Sequence, residues 1–297
     1  MVLVLRAALV VVLCLAAAAN ASGIAIRDDR GRLLTRPGPA ARIVALAPSI
    51  TELVFAAGAG AQLAGAPRFS DYPPAASALP QIGDASSIDA ERVLGLRPDL
   101  VIAWKSGNRT ADVARLERLG IPAFVIEPAV LADVPRVLRA IGLLAGTQPA
   151  AEAAARAFES GVEALRVAHA GASPVRVFYE IWHQPLMTVN GHHMISDVIR
   201  LCSGENVFAG LPVLTPVVSL EDVMVRKPAV VLGGGSAVSA GELAALWRRH
   251  APLAGLRDLQ VLRVDPDAIQ RQTPRVLEGA RQVCAHLQSL RAQRPPS

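Results

Sequence analysis

The sequence predicts an α/β fold in which two Rossmann-like lobes are joined by one long helix. Short apolar runs alternate with helical patterns, which is typical of a parallel sheet covered by helices. A related segment occurs once in each half of the chain, at 88–102 and 218–232, and an Ala-rich helical pattern at 149–168 separates the halves. One unit on each side of a connector indicates two lobes with a cleft between them.

The repeated segment shows the same order of features in both halves. A small polar residue that can cap a helix, Asp89 or Ser219, is followed two residues later by a glutamate, Glu91 or Glu221. An apolar-periodic run, a basic residue, a proline and a buried-type strand come next. Each lobe is therefore predicted to present an acidic helix start at an equivalent position.

In the first lobe, the pattern begins with a hairpin at 23–36, where turn-prone residues separate two short apolar runs. The segment Ser49-Ile50-Thr51-Glu52 matches a capping box and predicts a helix that ends at Gly58 and Gly60. The remaining predicted elements of this lobe are strands at 42–46, 62–66, 100–104 and 122–126, and helices at 90–96 and 110–119.

The connector has Pro149 in its first turn and Ala170-Gly171 beyond its end. At about 1.5 Å per residue it is about 30 Å long, which is enough to run from one lobe to the other. The predicted elements of the second lobe are strands at 175–181, 229–232 and 260–264, and helices at 195–202, 240–250 and 273–290. The expected organisation is a leader at 1–21, an N-terminal lobe at 22–145, a connecting helix at 146–172 and a C-terminal lobe at 173–297.

The first residues match a secretory signal peptide. Arg6 precedes an unbroken apolar run from Ala7 to Ala19, and Ala19-Asn20-Ala21 has the form of a cleavage site. Cys14 follows Leu13 rather than the small residue that a lipoprotein signal requires, so lipidation is disfavoured. The apolar run is too short to span a bilayer, so we expect a soluble exported protein.

Cysteine and charge restrict the function further. After the leader only Cys202 and Cys284 remain, and an even pair in an exported protein favours one disulfide, with two buried free thiols as the alternative. The net charge of +5 comes without a basic run or a basic patch interleaved with aromatic residues. Nucleic-acid binding is therefore a poor interpretation.

Aromatic residues make up only 4% of the chain, so their positions are informative. Trp104 and Trp182 each follow a predicted strand, and Phe69 and Tyr72 lie in a loop after another. Open α/β sheets bind ligands at the carboxyl ends of their strands, so these side chains offer flat apolar surface to one cleft. The alternative is that each tryptophan packs into the core.

A fourth strand exit carries polar groups. Asp267 and Arg271 follow the strand at 260–264. They place a hydrogen-bond acceptor and several hydrogen-bond donors at the same edge of the cleft, which suits a ligand with amide side chains. The alternative is a capped loop with a surface ion pair.

Catalytic and metal motifs are weak. His183 lies near the expected cleft and His192-His193 follows a turn, but no pair has metal-ligand spacing. Gly233-Gly234-Gly235-Ser236 lacks the lysine of a phosphate-binding loop, and Ser49 lacks the setting of a hydrolase nucleophile. The sequence therefore indicates neither an enzyme nor a metal centre.

Glu91 and Glu221 have two interpretations. A carboxylate in the first turn of a helix interacts favourably with the helix dipole, which explains either residue alone. The matching register in both lobes instead suggests a paired surface that docks onto basic sites of a symmetric partner.

Four segments carry a family resemblance: 43–53 (IVALAPSITEL), 70–74 (SDYPP), 96–104 (LRPDLVIAW) and 202–208 (CSGENVF). On these residues the chain resembles the periplasmic substrate-binding proteins of bacterial metal-chelate importers, over essentially all of the chain after the leader. The first and third segments resemble those of siderophore and haem binders as well. The second and fourth resemble more narrowly the members that bind cobalamin (vitamin B12).

The resemblance implies two α/β lobes on one backbone helix that move little when the ligand binds. Cobalamin or another corrinoid would lie between the lobes in its base-on form, without a protein ligand to cobalt and without a resident cofactor. The loaded receptor, a monomer in the periplasm, would deliver the ligand to the permease dimer of an inner-membrane ABC transporter.

The resemblance also implies roles for individual residues. Cys202 and Cys284 match the family disulfide, and Glu91 and Glu221 match carboxylates that pair with arginines of the transporter. The residues expected to contact cobalamin are Phe69 against the corrin, Trp104 and Trp182 in the cleft, and Asp267, Ala268, Ile269, Gln270 and Arg271 at its periphery.

Some positions depart from the family pattern. Ala85 stands where a cleft tryptophan is expected, and Ala268 and Ile269 replace bulkier aromatic residues. Trp182 is expected to compensate for Ala85 by filling the cleft from the other lobe. Two alternatives remain: a haem or ferric-siderophore receptor, in which His183, His192 or Tyr179 would matter, and a secreted enzyme that uses the same cleft.

Overall fold

The computed structural model describes residues 23–233, 241, 243–245, 247 and 259–293. The predicted leader with Cys14, residues 234–236 of the glycine-rich turn and most of the predicted helix at 240–250 lie outside the described residues. Within the described part of the chain, the strands form two parallel four-stranded sheets, one in each lobe. The α/β prediction is confirmed.

The N-terminal lobe contains the predicted strands in their predicted order, together with a small hairpin of two strands that was not predicted. An antiparallel hairpin is formed by β1 (Ile24–Arg27) and β2 (Leu33–Arg36). The strands that follow are β3 (Ile43–Ala45), β4 (Leu63–Gly65), the small hairpin strands β5 (Gly83–Asp84) and β6 (Ser87–Ile88), β7 (Leu100–Trp104) and β8 (Ala123–Ile126). In the parallel sheet the order is β4-β3-β7-β8.

Helices cover both faces of this sheet because alternate strand residues point to opposite sides. The helices are α1 (Pro48–Ala56), α2 (Ala90–Gly95), α3 (Thr110–Arg118) and α4 (Asp133–Ala145). Helices α1 and α4 pack on the side of Ile43 and Ile102, whereas α2 and α3 pack on the side of Val44 and Val101. The segment of α4 received no assignment from the sequence.

The connector is helix α5 (Gln148–His169). It buries Ala151, Ala155, Phe158 and Val162, which recur at helical spacing along one side. It contacts α1 and α4 of the N-terminal lobe and helices of the C-terminal lobe, so it bridges the two sheets. The helix lies inside the predicted connecting segment 146–172, and the domain boundaries themselves stay a prediction.

The C-terminal lobe repeats the arrangement of the first. Its strands are β9 (Val175–Glu180), β10 (Gly204–Asn206), β11 (Val230–Gly233) and β12 (Gln260–Arg263), in the order β10-β9-β11-β12. The helices of this lobe that lie wholly within the described residues are α6 (Met194–Leu201), α7 (Leu220–Arg226), α8 (Pro266–Ile269) and α9 (Val276–Gln293). Helix α7 precedes β11 as α2 precedes β7, so the repeated sequence segment occupies the same place in both lobes.

Two predicted helix starts are wrong. Helix α1 begins at Pro48 after Ala47, with no side-chain cap, and Ser49 and Glu52 are buried inside it. Proline has no backbone N–H, so a helix that begins with proline has one fewer amide for a capping side chain to accept from. A capping box is therefore unnecessary at this helix start. The final helix begins at Val276 rather than at 273, because the short helix α8 and the loop after it occupy 266–275.

The predicted disulfide is confirmed. Cys202, at the end of α6, is bonded to Cys284 in α9, and both are buried. The bond closes a loop with a sequence separation of 82, which stabilises the fold by about 4 kcal/mol through the entropy of the unfolded chain. The described residues include no helix long and apolar enough to cross a membrane.

Candidate functional site

The predicted ligand residues lie at the carboxyl ends of strands in both sheets. Trp104 is the last residue of β7, and Phe69 lies in the loop after β4. In the other lobe, Trp182 follows β9, and the segment 265–271 follows β12. Parallel sheets bind ligands at this edge, so the placement agrees with a cleft site.

Phe69 presents its ring to solvent. The residue is 75% exposed, and its backbone has a φ of 66°. A bulky residue rarely adopts this left-handed conformation, and such strained residues persist where the surrounding structure holds them. The loop is held by an Arg68–Asp84 ion pair at 2.6 Å and by a hydrogen bond between the Ser70 and Thr51 hydroxyls at 3.1 Å.

Trp104 is half-buried and is fixed by its own loop. Its indole Nε1 donates to Glu127 Oε1 at 3.3 Å, and its backbone N–H donates to Asn108 Oδ1 at 2.7 Å. Glu127 also accepts from the backbone N–H of Ser106 at 2.7 Å. The indole is therefore held at the strand exit before any ligand is present.

Trp182 is exposed at the end of β9 in the opposite lobe. Its side chain is 46% exposed, and its Nε1 donates to the carbonyl of Gln184 at 2.9 Å. A backbone bridge between Trp182 and Met187 closes a small loop that begins at this residue.

A charged network connects the two lobes at the rim. We define the interlobe cluster as Glu52, Asp71, Asp267, Arg271 and Arg275. Arg271 Nη1 lies 2.7 Å from Glu52 Oε1 and 2.8 Å from Asp71 Oδ1. Arg271 Nη2 lies 3.0 Å from Asp267 Oδ1. The cluster therefore brings Asp267 and Arg271 together with two carboxylates of the N-terminal lobe.

Glu52 is the buried centre of the interlobe cluster. Its side chain is only 2% exposed, yet its oxygens accept from Arg271, from Arg275 at 3.2 Å and from the hydroxyl of Thr273 at 2.9 Å. A buried carboxylate is stable when it is paired and hydrogen-bonded in this way. Arg275 also stacks on the Tyr72 ring, with its guanidinium carbon 4.1 Å from the ring centre.

Hydrogen bonds within the interlobe cluster stabilise the charged forms of Asp71 and Arg271. The pKa of Asp71 is lowered, chiefly by its hydrogen bond to Arg271. Burial alone would lower the pKa of Arg271, but its bonds to Asp71 and Glu52 outweigh burial and raise it. The ion pairs are therefore present at neutral pH.

The segment that contains Asp267 and Arg271 is only partly available to a ligand. Ala268 and Ile269 have 0% and 2% exposure and are buried under α9. Their side chains lack free surface at the rim, because α8 turns this face into the core. Gln270 is half-buried and lies within hydrogen-bonding reach of the Tyr179 hydroxyl.

The histidine and tyrosine candidates are engaged elsewhere. Tyr179 is fully buried in β9, and burial raises the pKa of its hydroxyl. His183 Nδ1 lies 3.0 Å from Glu180 Oε1, and Glu180 Oε2 accepts from the indole of Trp247 at 2.6 Å. His192 is exposed. No three His, Cys, Asp or Glu side chains in the described part of the chain form a metal-binding group.

Glu91 and Glu221 occupy equivalent exposed positions. Each lies in the first turn of its helix, α2 or α7, after the N-cap residue Asp89 or Ser219. The side chains of both N-cap residues accept backbone hydrogen bonds, as the sequence predicted. The glutamates therefore extend from matching sites on the two lobes.

Sequence reasoning missed the role of Glu52 and did not identify Asp71, Thr273 or Arg275. The available signal was a glutamate at a predicted buried position of an apolar helix, together with two arginines near the last strand exit. A buried carboxylate requires a cation, and these arginines were candidates for it.

The fold and sequence are shared with known periplasmic proteins. Residues 43–251 match the family of periplasmic binding proteins. The vitamin B12-binding protein of Yersinia pestis is 36% identical over 259 residues, which cover 87% of this chain and 90% of that protein.

Two solved structures are also similar to the chain. The periplasmic vitamin B12 binding protein BtuF of Vibrio cholerae has a TM-score of 0.78 at 34% identity and covers 86% of this chain and 100% of its own. The periplasmic heme-binding protein RhuT from Roseiflexus sp. RS-1 has a TM-score of 0.73 at 24% identity, covers 84% of this chain and 98% of its own, and shows the fold alone. By sequence and by architecture, this chain belongs to the periplasmic binding protein family.

Proposed function

We propose that this chain is a periplasmic receptor that captures cobalamin or a related corrinoid and delivers it to an ABC importer. The observation that carries the proposal is the 36% identity, over most of both chains, to a vitamin B12-binding protein. The solved structure of another vitamin B12 binding protein covers the same two lobes at 34% identity. The proposal implies a receptor and not an enzyme.

The geometry supports a large flat ligand in the cleft. Phe69 and Trp182 expose 75% and 46% of their surface from opposite lobes, and Trp104 is held at a third strand exit. In our proposal these rings stack on the corrin and supply apolar contact area, while Asp267, which Arg271 holds at the rim, meets its amide side chains. Gln270 is a further candidate contact, whereas Ala268 and Ile269 offer the ligand no side-chain surface because both are buried.

A haem receptor is the nearest alternative, because heme-binding proteins share the fold. An axial ligand from Tyr179 would have to leave the core, where that side chain has no exposed surface. His183 already has its Nδ1 bonded to Glu180. That bond leaves Nε2 of His183 able to ligate a metal, so only the burial of Tyr179 argues against an axial ligand from the protein, and the hemin titration below tests His183 and the exposed His192.

The experiment is direct binding by the purified mature chain. We expect isothermal titration calorimetry to show one cyanocobalamin per chain, and gel filtration to retain its visible absorbance with the protein. Hemin serves as the competitor in parallel titrations. A shifted Soret band with hemin, combined with no retention of cyanocobalamin, would refute the proposed ligand.

The delivery step is part of the same proposal. A monomeric receptor in the periplasm would dock onto a permease dimer through Glu91 and Glu221, each pairing with a basic site on one subunit. Their exposed, equivalent positions in α2 and α7 support this assignment. Export would require the leader that the sequence predicts at 1–21.

A further inference from the structure

The guanidinium of Arg271 is already occupied by oxygen atoms of the protein. Its Nη1 contacts Glu52 Oε1 at 2.7 Å and Asp71 Oδ1 at 2.8 Å. Its Nη2 contacts Asp267 Oδ1 at 3.0 Å and the Phe69 carbonyl at 3.5 Å. Both terminal nitrogens therefore point to oxygen atoms of the chain, and a ligand would have to displace one of these contacts to use them.

The surface of the interlobe cluster is formed by carboxylates. The Arg271 side chain is 15% exposed and that of Glu52 is 2% exposed, whereas Asp71 and Asp267 are 59% and 54% exposed. The two arginines and Glu52 lie inside the cluster, and the two aspartates lie on its outer surface. A carboxylate has more acceptor sites than one guanidinium contact uses, so Asp71 and Asp267 retain acceptor capacity toward solvent.

The interlobe cluster also carries a net negative charge. Glu52, Asp71 and Asp267 contribute three negative charges, against two positive charges from Arg271 and Arg275. A group that approaches this rim therefore meets acceptors without an available cation. An amide nitrogen donates hydrogen bonds to such acceptors, whereas a carboxylate can only accept and is repelled.

Building on the proposed function, we propose that Asp71 and Asp267 determine specificity by favouring a metal chelate with uncharged amide side chains over one with carboxylates. Arg271 acts as a positioning residue: it holds both aspartates, one from each lobe, at the spacing in which amide groups meet them. The peripheral propionates of haem would face the same two carboxylates. This selection would act at the periphery of the macrocycle and would not involve the metal.

The test compares two ligands that differ in one group. Cyanocobalamin is titrated against each of its separated monocarboxylate derivatives, in which one peripheral amide is hydrolysed to a carboxylate. For the isomers whose altered group meets the rim, we expect the wild-type chain to bind the amide form at least tenfold more tightly. In the Asp71→Asn and Asp267→Asn double variant, we expect this preference to fall to about twofold or less, since like-charge repulsion is removed.

The control variant is Glu205→Gln in β10, which removes an exposed carboxylate that is paired with Arg176 at 3.3 Å and lies outside the interlobe cluster. It should leave the preference unchanged. Thermal unfolding confirms that each variant is folded before its ligand preference is measured. Higher salt should also reduce the preference of the wild-type chain, because the two aspartates are exposed and their charge is screened.

The outcomes separate the two proposals. Equal binding of cyanocobalamin and every monocarboxylate by the wild-type chain would overturn the specificity role and leave the receptor function intact. A preference for the amide form that persists in the Asp71→Asn and Asp267→Asn double variant would also overturn the specificity role and leave the receptor function intact. If the wild-type chain fails to bind cyanocobalamin, both proposals are overturned.

Discussion

At the scale of single residues, the position of Trp104 depends on the absence of a side chain at Gly107. A Cβ built on Gly107 would lie 1.8 Å from a ring carbon of Trp104, far inside contact distance. The indole is held against this glycine by its bond to Glu127. We expect Gly107→Ala to push the ring out of place and to weaken cyanocobalamin binding by about tenfold, equivalent to about 1.4 kcal/mol.

The matched control for that substitution is Gly95→Ala. A Cβ at Gly95 meets no atom within 4 Å, and the residue lies at the end of α2. Calorimetric titration should give the same dissociation constant for Gly95→Ala as for the wild-type chain. If Gly107→Ala binds as tightly as this control does, the orientation of Trp104 does not matter for the ligand.

Residue-level reasoning from sequence succeeded where a role depends on near neighbours. Asp89 and Ser219 cap their helices as predicted, because the amides they accept from lie two or three residues away. Glu52 was misassigned for the opposite reason. Its partner Arg271 is 219 positions distant, while the nearby Ser49 completed a plausible capping box. Only the packing of two lobes reveals that the carboxylate is buried.

At the scale of single elements, helix α6 depends on a buried histidine as its cap. His193 Nδ1 accepts the backbone N–H of Ile195 at 3.1 Å, which a doubly protonated ring could not do. Burial lowers the pKa of His193 to about 4 from an unfolded value of about 6.5. The unfolded chain therefore binds this proton more readily than the native chain does.

The sign of the pH dependence follows from that difference. As pH falls from about 6.5 to about 4, protonation of the unfolded state should remove about 3 kcal/mol of unfolding free energy. His193→Asn keeps a capping acceptor without a titrating ring, so its unfolding free energy should lose about 3 kcal/mol less over this range. Urea unfolding at several pH values measures this difference in unfolding free energy. His192→Asn, at an exposed histidine, is the control variant. Parallel curves for wild type and His193→Asn would contradict the cap assignment.

Elements with strong periodicity were predicted well, and their boundaries were predicted less well. The β/α alternation and the connector were visible because apolar spacing is a local property of the chain. Helix α4 was missed, although it buries residues such as Val134, Leu138 and Ile141 at helical spacing. Pro135 lies in its first turn, where proline is tolerated, but an internal proline obscures a helix in the sequence.

At the scale of the whole molecule, the lobes are held in one arrangement by contacts that no local pattern contains. The buried Glu52 forms ion pairs with two arginines of the other lobe, Arg271 and Arg275. The backbone N–H of Leu131 also donates to Asp197 of α6 at 2.9 Å. Helix α5 packs against both lobes between these contacts. Several independent ties therefore join the lobes, and we expect the protein to change little on binding.

The same whole-molecule geometry motivates the last prediction, which concerns delivery. Helix α2 is followed along the chain by β7, and helix α7 is followed by β11. Each of these strands is third in its sheet, and the two sheets have the same strand order. Glu91 and Glu221 are therefore placed equivalently on the lobes, as contact with a two-fold symmetric partner requires. We expect the Glu91→Arg and Glu221→Arg double variant to bind cyanocobalamin normally and to lose cobalamin uptake.

Uptake is measured with labelled cobalamin in the native host deleted for its own copy of the receptor. The control double variant is Glu163→Arg with Glu278→Arg, which makes the same charge change at exposed glutamates of α5 and α9. It should support normal uptake, which excludes an effect of total charge. Each single reversal should reduce uptake less than the double variant, because one of the two docking contacts remains. Normal uptake by Glu91→Arg with Glu221→Arg would show that the receptor reaches its transporter through another surface.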